Sequence, residues 1–315
     1  MVVIFMGSPE FSVPSLRAVV EAGHSVAYVL TQPDRARTRG RRLVPTPVKE
    51  FAQSLGLRVL TPETLQDEGV LAALKEAEPD VIVVVAYGLL LPPEVLKIPK
   101  HGCVNVHASL LPKYRGAAPI ERAIMAGESV TGVTTMYMAE SWDTGDIILQ
   151  DEVPIGEDAT AGELRKELAE RGAALLAKTL ELIEKGNAPR IRQDETAATR
   201  APRVKPEEFE IVWSGSARAI HNLVRAGNPK PGAFTKHEGA LLKVFMGRPV
   251  TDAADTPCSR GTPGTVCGTT RDGFLVKAGQ GAYLVTEVQA EGGRRMPAAD
   301  YLRGHPMSPG TVLGG

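Results

Sequence analysis

Short apolar runs rich in β-branched residues alternate with longer, amphipathic stretches along the first half of this chain. The runs end at glycine, proline or threonine, which is typical of strands, whereas the stretches between them repeat apolar residues at helical spacing. The pattern predicts strands at residues 2–6, 26–30, 59–60, 80–86 and 103–106. It predicts helices at residues 16–22, 47–55 and 71–77.

The strand predicted at residues 80–86 indicates the kind of sheet. Its sequence, DVIVVVA, is apolar at nearly every position, and such a strand is buried on both faces. Together with the alternation of strands and helices, it predicts a doubly wound, mostly parallel, Rossmann-like α/β sheet. Two more strands are predicted at 131–138 and 147–153, and a helix follows at 160–184, with Thr160 and Glu163 forming a capping box.

The pattern changes beyond Gly186. Residues from 187 onward are rich in proline, alanine, threonine and arginine and lack an apolar period, which predicts an extended linker. A helix at 217–226 and short strands separated by glycines follow, which is typical of a small β-barrel of the OB type. We therefore predict a first domain at 1–189, a linker at 190–206 and a C-terminal barrel domain at 207–315.

Composition agrees with a globular protein of two domains and limits its partners. The chain has 315 residues, more than one hydrophobic core usually serves, and 43% of them are hydrophobic. The net charge of -1 argues against a generally basic protein, but it leaves room for a local basic patch. The three cysteines have no metal-ligand spacing, and their odd, sparse count predicts no disulfide framework. We expect no metal, no membrane segment and a cytoplasmic location.

The loop after the first strand has the position of a dinucleotide-binding turn. Its sequence, GSPEF at residues 7–11, lacks the G-x-G-x-x-G pattern, because Pro9 and Phe11 occupy the wrong places. It predicts a plain strand-to-helix turn and no dinucleotide.

Two polar residues lie at the carboxyl end of a predicted strand, where open α/β sheets bind ligands. Asn105 and His107 are two residues apart, so alternation places both side chains on one face of the sheet. An amide donor beside an imidazole can bind and protonate a developing oxyanion. The alternative is that His107 is a buried histidine that caps the loop, and the sequence leaves both interpretations open.

A second polar sequence, DTGD at residues 143–146, follows the strand predicted at 131–138. Asp143 has three interpretations: a turn residue, one half of an aspartic protease pair, or a carboxylate that orients His107. A protease needs a second Asp-Thr/Ser-Gly, which the chain lacks, so it would require a symmetric dimer. The sequence does not show whether Asp143 and His107 meet.

These two motifs, in this order, resemble those of folate-dependent formyltransferases. The first is NVHASLLP at residues 105–112 with YRGAAPI at 114–120, and the second is DTGD at 143–146. TQPD at 31–34, PVK at 47–49 and VVVAYG at 83–88 are similar to the same family. The resemblance lies in motifs up to about residue 190 and in length and pattern beyond it.

The resemblance implies roles for the polar residues. Asn105 and His107 would stabilise the oxyanion formed when an amine attacks the formyl carbon of 10-formyltetrahydrofolate. Asp143 would support His107 and help to remove the amine proton, while the loop before it would lie against the pterin. That loop, MAESW at 138–142, departs from the acidic, glycine, aliphatic sequence common in the family. The folate site would be lined by Tyr87, Gly88, Ser109, Leu110, Leu111 and Pro112.

A basic loop bears on the acceptor substrate. The loop lies between Gln32 and Lys49. Counting Lys49, it carries six positive charges and one negative charge, that of Asp34, and its proline and glycine residues keep it non-helical. Members of the family that act on charged tRNA resemble this chain in having a basic insertion here, whereas those acting on purines or sugars generally lack it. The resemblance thus implies formyl transfer to the α-amine of methionine on initiator methionyl-tRNA, with loop arginines on the phosphates. These arginines are Arg35, Arg37, Arg39, Arg41 and Arg42.

Two alternatives stay open at this point. The same chemistry could serve an amino sugar, and a catalytically silent RNA-binding protein could retain the scaffold. A line of lysines and arginines along the linker would favour a nucleic-acid partner. Contacts from such residues to phosphates position a nucleic acid but do not read its sequence. We expect the chain to act as a monomer.

Overall fold

The structure, a computed structural model, describes residues 1–36, 43–250, 258 and 261–314. The chain forms two compact units, each built from several stretches of sequence. The first consists of Met1–Pro119, Val130–Pro154 and Arg165–Pro202. The second consists of Ile120–Ser129, Ile155–Leu164 and Arg203–Gly315.

A seven-stranded sheet forms the centre of the first unit, with the strand order β5-β2-β1-β6-β7-β8-β9. The strands up to β7 are parallel, whereas β8 is antiparallel to β7 and β9 to β8. Two short strands, β3 and β4, pair separately. In chain order the strands are β1 Val2–Gly7, β2 Ser25–Leu30, β3 Arg35–Ala36, β4 Leu43–Val44, β5 Val59–Leu60, β6 Val81–Val85, β7 Cys103–His107, β8 Val130–Tyr137 and β9 Ile147–Pro154.

Helices cover both faces of this sheet, as a doubly wound fold requires. On one face, Leu16 and Val48 pack with Val104 of β7. On the other, Leu74 and Val95 pack with Ile82 of β6. The helices of this half of the chain are α1 Val13–Glu21, α2 Pro47–Ser54, α3 Glu68–Glu76, α4 Pro93–Leu96, α5 Pro119–Ala126 and α6 Ala161–Glu184.

An antiparallel sheet forms the second unit, with the order β10-β11-β14-β13-β12 and β15 paired to β14. Trp213, Phe274 and Tyr283 are at most 5% exposed and lie in its core. Its elements are α7 Ala217–Ala226, β10 Ala233–His237, β11 Ala240–Val250, β12 Val266–Thr270, β13 Gly273–Lys277, β14 Ala282–Ala290, β15 Met296–Pro297 and α8 Ala298–Gly304. The predicted fold class, a parallel α/β sheet followed by a separate antiparallel β domain, is confirmed.

Three local predictions were wrong or incomplete. The predictions lacked α4 and α5: α4 is a one-turn helix with little periodicity, whereas α5 is amphipathic and its pattern was missed. The expectation of no disulfide was wrong, since Cys258 and Cys267 are bonded. They are nine residues apart, and both are buried in one small apolar cluster with Leu275 and Leu284. A cysteine count cannot reveal such a local pairing.

No helix in the described part of the chain is long and apolar enough to cross a membrane.

Candidate active site

Asn105 and His107 lie at the carboxyl end of β7 and point to the same face of the sheet. Their neighbours Val104 and Val106 belong to the core on the opposite face, as alternation requires. Asn105 pairs with Met136 on the antiparallel strand, and its side chain is 9% exposed. His107 is 6% exposed. Both side chains are therefore held by a buried central strand rather than by a loop.

The His107 ring lies between a carbonyl and a carboxylate. Its Nε2 donates to the carbonyl oxygen of Tyr114 at 2.9 Å, and its Nδ1 is 3.7 Å from Oδ1 of Asp143. Because a carbonyl only accepts, the Nε2 atom carries a proton. A neutral ring can donate toward one of these two acceptors, whereas an imidazolium can donate toward both. The ring is therefore oriented with Nε2 on the Tyr114 carbonyl and Nδ1 facing the Asp143 carboxylate.

Asp143 is fixed in an unusual backbone conformation. Its φ is +54°, in the left-handed region that non-glycine residues rarely adopt. Its Oδ2 accepts a hydrogen bond from the Gly116 amide at 2.8 Å. Gly145 makes the turn possible, because a Cβ atom there would overlap the carbonyl oxygen of Tyr137. The carboxylate is thereby turned toward His107, which is the third of the interpretations that the sequence left open.

The side-chain amide of Asn105 makes no hydrogen bond to any residue that the structure describes. It is not among the fully buried side-chain polar groups that lack a partner in the described ranges, which are those of Tyr87 and His237, so the Asn105 amide keeps some accessible surface. Next to His107, its two N–H donors can bind the oxygen of a substrate carbonyl. This available donor favours a ligand-binding role for Asn105 and His107 over the alternative that His107 is a buried histidine that caps the loop.

The loop that follows β7 is held by internal hydrogen bonds. Ser109, fully buried, donates its hydroxyl to the Lys113 carbonyl at 2.7 Å. Thr134 donates to the Ser109 carbonyl and accepts from the Leu111 amide. Leu111 packs in a small core cluster. Ser109 and Leu111 therefore shape the loop, while Leu110 and Pro112 keep partly exposed apolar surface that a ligand can contact.

Tyr87 and Gly88 follow β6, the strand beside β7. Tyr87 is 2% exposed, and burial raises its pKa to about 12. No residue in the described ranges accepts or donates a hydrogen bond at its hydroxyl. The ring packs in the same apolar cluster as Cys103 and Met138, the residue that opens the loop before Asp143. Gly88 has a φ of +87° and open space where a Cβ atom would be.

Three residues that the sequence did not single out complete the site. They are Tyr114, whose carbonyl accepts from His107, Gly116, whose amide donates to Asp143, and Gln193. The Gln193 amide donates to the carbonyls of Asp143 and Gly145 at 2.9 and 2.8 Å. Backbone groups carry the first two roles, so residue type gives no hint of them. Gln193 lies in the segment that composition predicts to be a linker.

The predicted basic loop is described only at its base. Arg35 lies in β3, which pairs with β4, whereas Arg37, Arg39, Arg41 and Arg42 lie outside the described residues. Lys49, which we predicted as the sixth positive charge of the loop, forms an ion pair with Asp34 at 2.7 Å. Its charge is therefore neutralised at the base of the loop.

Comparisons with known proteins identify the family of this chain. The chain matches the formyl transferase family over residues 1–180 and the C-terminal domain of formyl transferases over residues 203–306. The chain belongs to the formyl transferase family, and the family predicted from the motifs is confirmed.

Among its relatives, the methionyl-tRNA formyltransferase of Moorella thermoacetica is 52% identical over 314 residues, covering 100% of this chain and 99% of that protein. The methionyl-tRNA formyltransferase of Pelotomaculum thermopropionicum is 50% identical with the same coverage. A solved N-formyltransferase of Helicobacter canadensis, in complex with folinic acid and dTDP-3-aminofucose, has a TM-score of 0.66 at 17% identity. It covers 94% of this chain and 100% of its own length, and it supports the fold alone.

Proposed function

We propose that this protein transfers the formyl group of 10-formyltetrahydrofolate to the amino group of methionine on initiator methionyl-tRNA. The main support for this reaction is the position of the His107 imidazole between Tyr114 and Asp143, beside an Asn105 amide that has no partner in the described ranges. The observation that favours this acceptor is the full-length identity of 52% to a protein named for it. An amino-sugar acceptor has only a likeness of fold in its favour.

The residues of the site divide the chemistry among them. A bond forms between the amine nitrogen and the formyl carbon, while the bond from that carbon to the folate nitrogen breaks. Asn105 donates a hydrogen bond to the formyl oxygen as it gains negative charge, and His107 donates to it from a protonated Nδ1, because its Nε2–H is held by the Tyr114 carbonyl. Asp143 holds the His107 ring and accepts, through water, the proton that the amine loses. The proton taken up by Asp143 is then passed to the folate nitrogen as it leaves, so atoms and charges balance.

The folate fits the groups at the ends of β6 and β7. The Tyr87 hydroxyl is buried without a partner in the described ranges, so a polar ring can satisfy it. Leu110 and Pro112 offer apolar surface, and Gly88 leaves space where a side chain would lie. Ser109 and Leu111 act through the shape of the loop. The folate carries the activated one-carbon group, and the protein supplies alignment and electrostatic stabilisation.

For the acceptor, we assign the tRNA phosphates to the basic loop and the C-terminal domain. Arg35, Arg37, Arg39, Arg41 and Arg42 would contact the acceptor end, because clustered arginines gain affinity by releasing counterions from phosphates. The domain at 1–189 would carry the chemistry, and the domain at 207–315 would bind the tRNA body through the linker at 190–206. We assign the activity to a monomer in the cytoplasm.

The test is formyl incorporation into charged tRNA. We expect turnover with initiator methionyl-tRNA and much less with elongator methionyl-tRNA. His107→Ala should lower kcat by two to four orders of magnitude, roughly the contribution of a positioned acid–base group. His101→Ala, a histidine away from the site, is the matched control. Formylation of an amino sugar with no activity on any methionyl-tRNA would show that the acceptor is wrong.

A further inference from the structure

The segment predicted as a linker is part of the first compact unit up to Pro202. Ile191 forms an antiparallel bridge with Ile147, just beyond the Asp143 turn. Arg200 forms a parallel bridge with Arg115, in the loop that follows β7. One extended stretch of chain thus borders both loops that place the catalytic residues.

Gln193 is the one buried side chain in the middle of this stretch. It is 6% exposed, whereas its neighbours Arg192 and Asp194 are exposed. Its Nε2 donates to the carbonyls of Asp143 and Gly145, and its Oε1 accepts from Nε and Nη2 of Arg115 at 3.0 and 2.8 Å. An amide has two N–H donors and two acceptor lone pairs, so its capacity is fully used.

Arg115 extends this network to the His107 side of the site. It lies between Tyr114, which accepts from His107, and Gly116, which donates to Asp143. Its remaining N–H groups bind the Glu195 carboxylate at 2.8 and 2.9 Å. That hydrogen-bonded pair raises the pKa of Arg115, so the guanidinium is permanently charged. The Gln193 amide therefore joins the Asp143 turn to the loop that fixes His107.

We propose that Gln193 is a positioning residue for formyl transfer, which holds Asp143 directly and His107 through Arg115. The proposal rests on the proposed function of these two residues. Asp143 adopts a left-handed φ that is unfavourable for aspartate, and such a conformation persists only where the surroundings enforce it. Two of the hydrogen bonds that enforce it come from Gln193. A misplacement of about 1 Å at a reacting group can cost about 100-fold in rate.

The test uses Gln193→Ala and Gln193→Glu in the full chain. The glutamate keeps the acceptor for Arg115 but has no N–H for the two carbonyls, and its charge repels them. We expect both variants to lose about 100-fold in kcat, with KM for folate and for methionyl-tRNA within about threefold of wild type. Asp194→Asn, an exposed neighbour in the same segment, is the control and should keep wild-type kcat.

A second measurement is independent of turnover. The Gly116 amide donates to Asp143, so its hydrogen exchange should be faster in both Gln193 variants and unchanged in Asp194→Asn. Wild-type kcat in Gln193→Glu would overturn the proposal, and so would a loss of kcat matched by higher KM values and general unfolding. If the wild type does not formylate methionyl-tRNA, the proposed function fails. In that case unchanged Gly116 exchange in the variants overturns the positioning role, and faster exchange supports it.

Discussion

For substitutions of Asn105 we predict a large loss of catalytic rate with little change in the stability of the fold. The residue is 9% exposed and its amide makes no hydrogen bond within the described ranges, so Asn105→Ala breaks no hydrogen bond there. Removing a donor to an oxyanion typically costs about 100- to 1000-fold in kcat, or about 2.7–4 kcal/mol of transition-state stabilisation. The Asn105 amide is not among the fully buried polar groups that lack a partner in the described ranges, so its removal leaves no buried donor or acceptor unpaired. We expect the free energy of unfolding to change by no more than about 1 kcal/mol.

The assay is single-turnover formyl transfer with saturating substrates, alongside thermal unfolding of the same preparations. Asn105→Asp is the size-matched variant, because it keeps the volume and removes the N–H donors. It should lose at least as much kcat as the alanine variant, since a carboxylate repels a developing oxyanion. The reasoning is refuted if either variant retains kcat within about threefold of wild type, or if Asn105→Ala lowers stability by several kcal/mol.

Other regions give three further predictions. Gly145→Ala should lower kcat by about 100-fold, because the new methyl group meets a backbone carbonyl and the turn has to move; wild-type turnover would contradict the assigned geometry. The hydrogen bond from Arg122 lowers the pKa of Glu208 from 4.5 to about 2, so the stabilisation by this pair is complete above pH 4.5 and lost as the pH falls toward 2. The difference in Tm between wild type and Glu208→Gln should close over that interval, and a difference that persists at the acid end would count against the pair. Asp34→Lys and Lys49→Asp should each raise KM for methionyl-tRNA several-fold, and the double swap should restore it if the pair orients the basic loop; equal KM in all three would exclude this role.

Local physical rules made much of the first unit predictable. The valine and isoleucine run of β6 is buried at every position, as a central parallel strand should be. The capping box at the start of α6 is present: the Thr160 amide donates to the Glu163 carboxylate at 2.9 Å, and the Glu163 amide donates to the Thr160 hydroxyl at 3.3 Å. Alternation along β7 correctly placed Asn105 and His107 on one face. Each of these features depends on residues close together in sequence.

The meeting of His107 with Asp143 depends on residues far apart in sequence. It requires the antiparallel pairing of β7 with β8 and of β8 with β9, and a turn that only Gly145 allows. Strand pairing of this kind is decided by the whole sheet, so the sequence could present the contact only as one of three interpretations. The motif resemblance supplied what the local pattern could not.

The segment beyond Gly186 shows the limit of what composition predicts. Its lack of an apolar period predicted an extended linker, whereas the chain there includes a 3-10 turn at Glu195–Ala197 and belongs to the first compact unit up to Pro202. Irregular backbone of this kind can pair with the loops of a site. The partners of Gln193 are backbone carbonyls and one arginine, so no spacing of apolar residues marks it. The buried amide of Gln193 needs partners, and it finds them in the carbonyls of the Asp143 turn, which attaches the segment to that turn. Because the same chain continues at Arg203 into the second unit, this segment is one of the covalent connections between the units and, as we propose, it also helps to position Asp143.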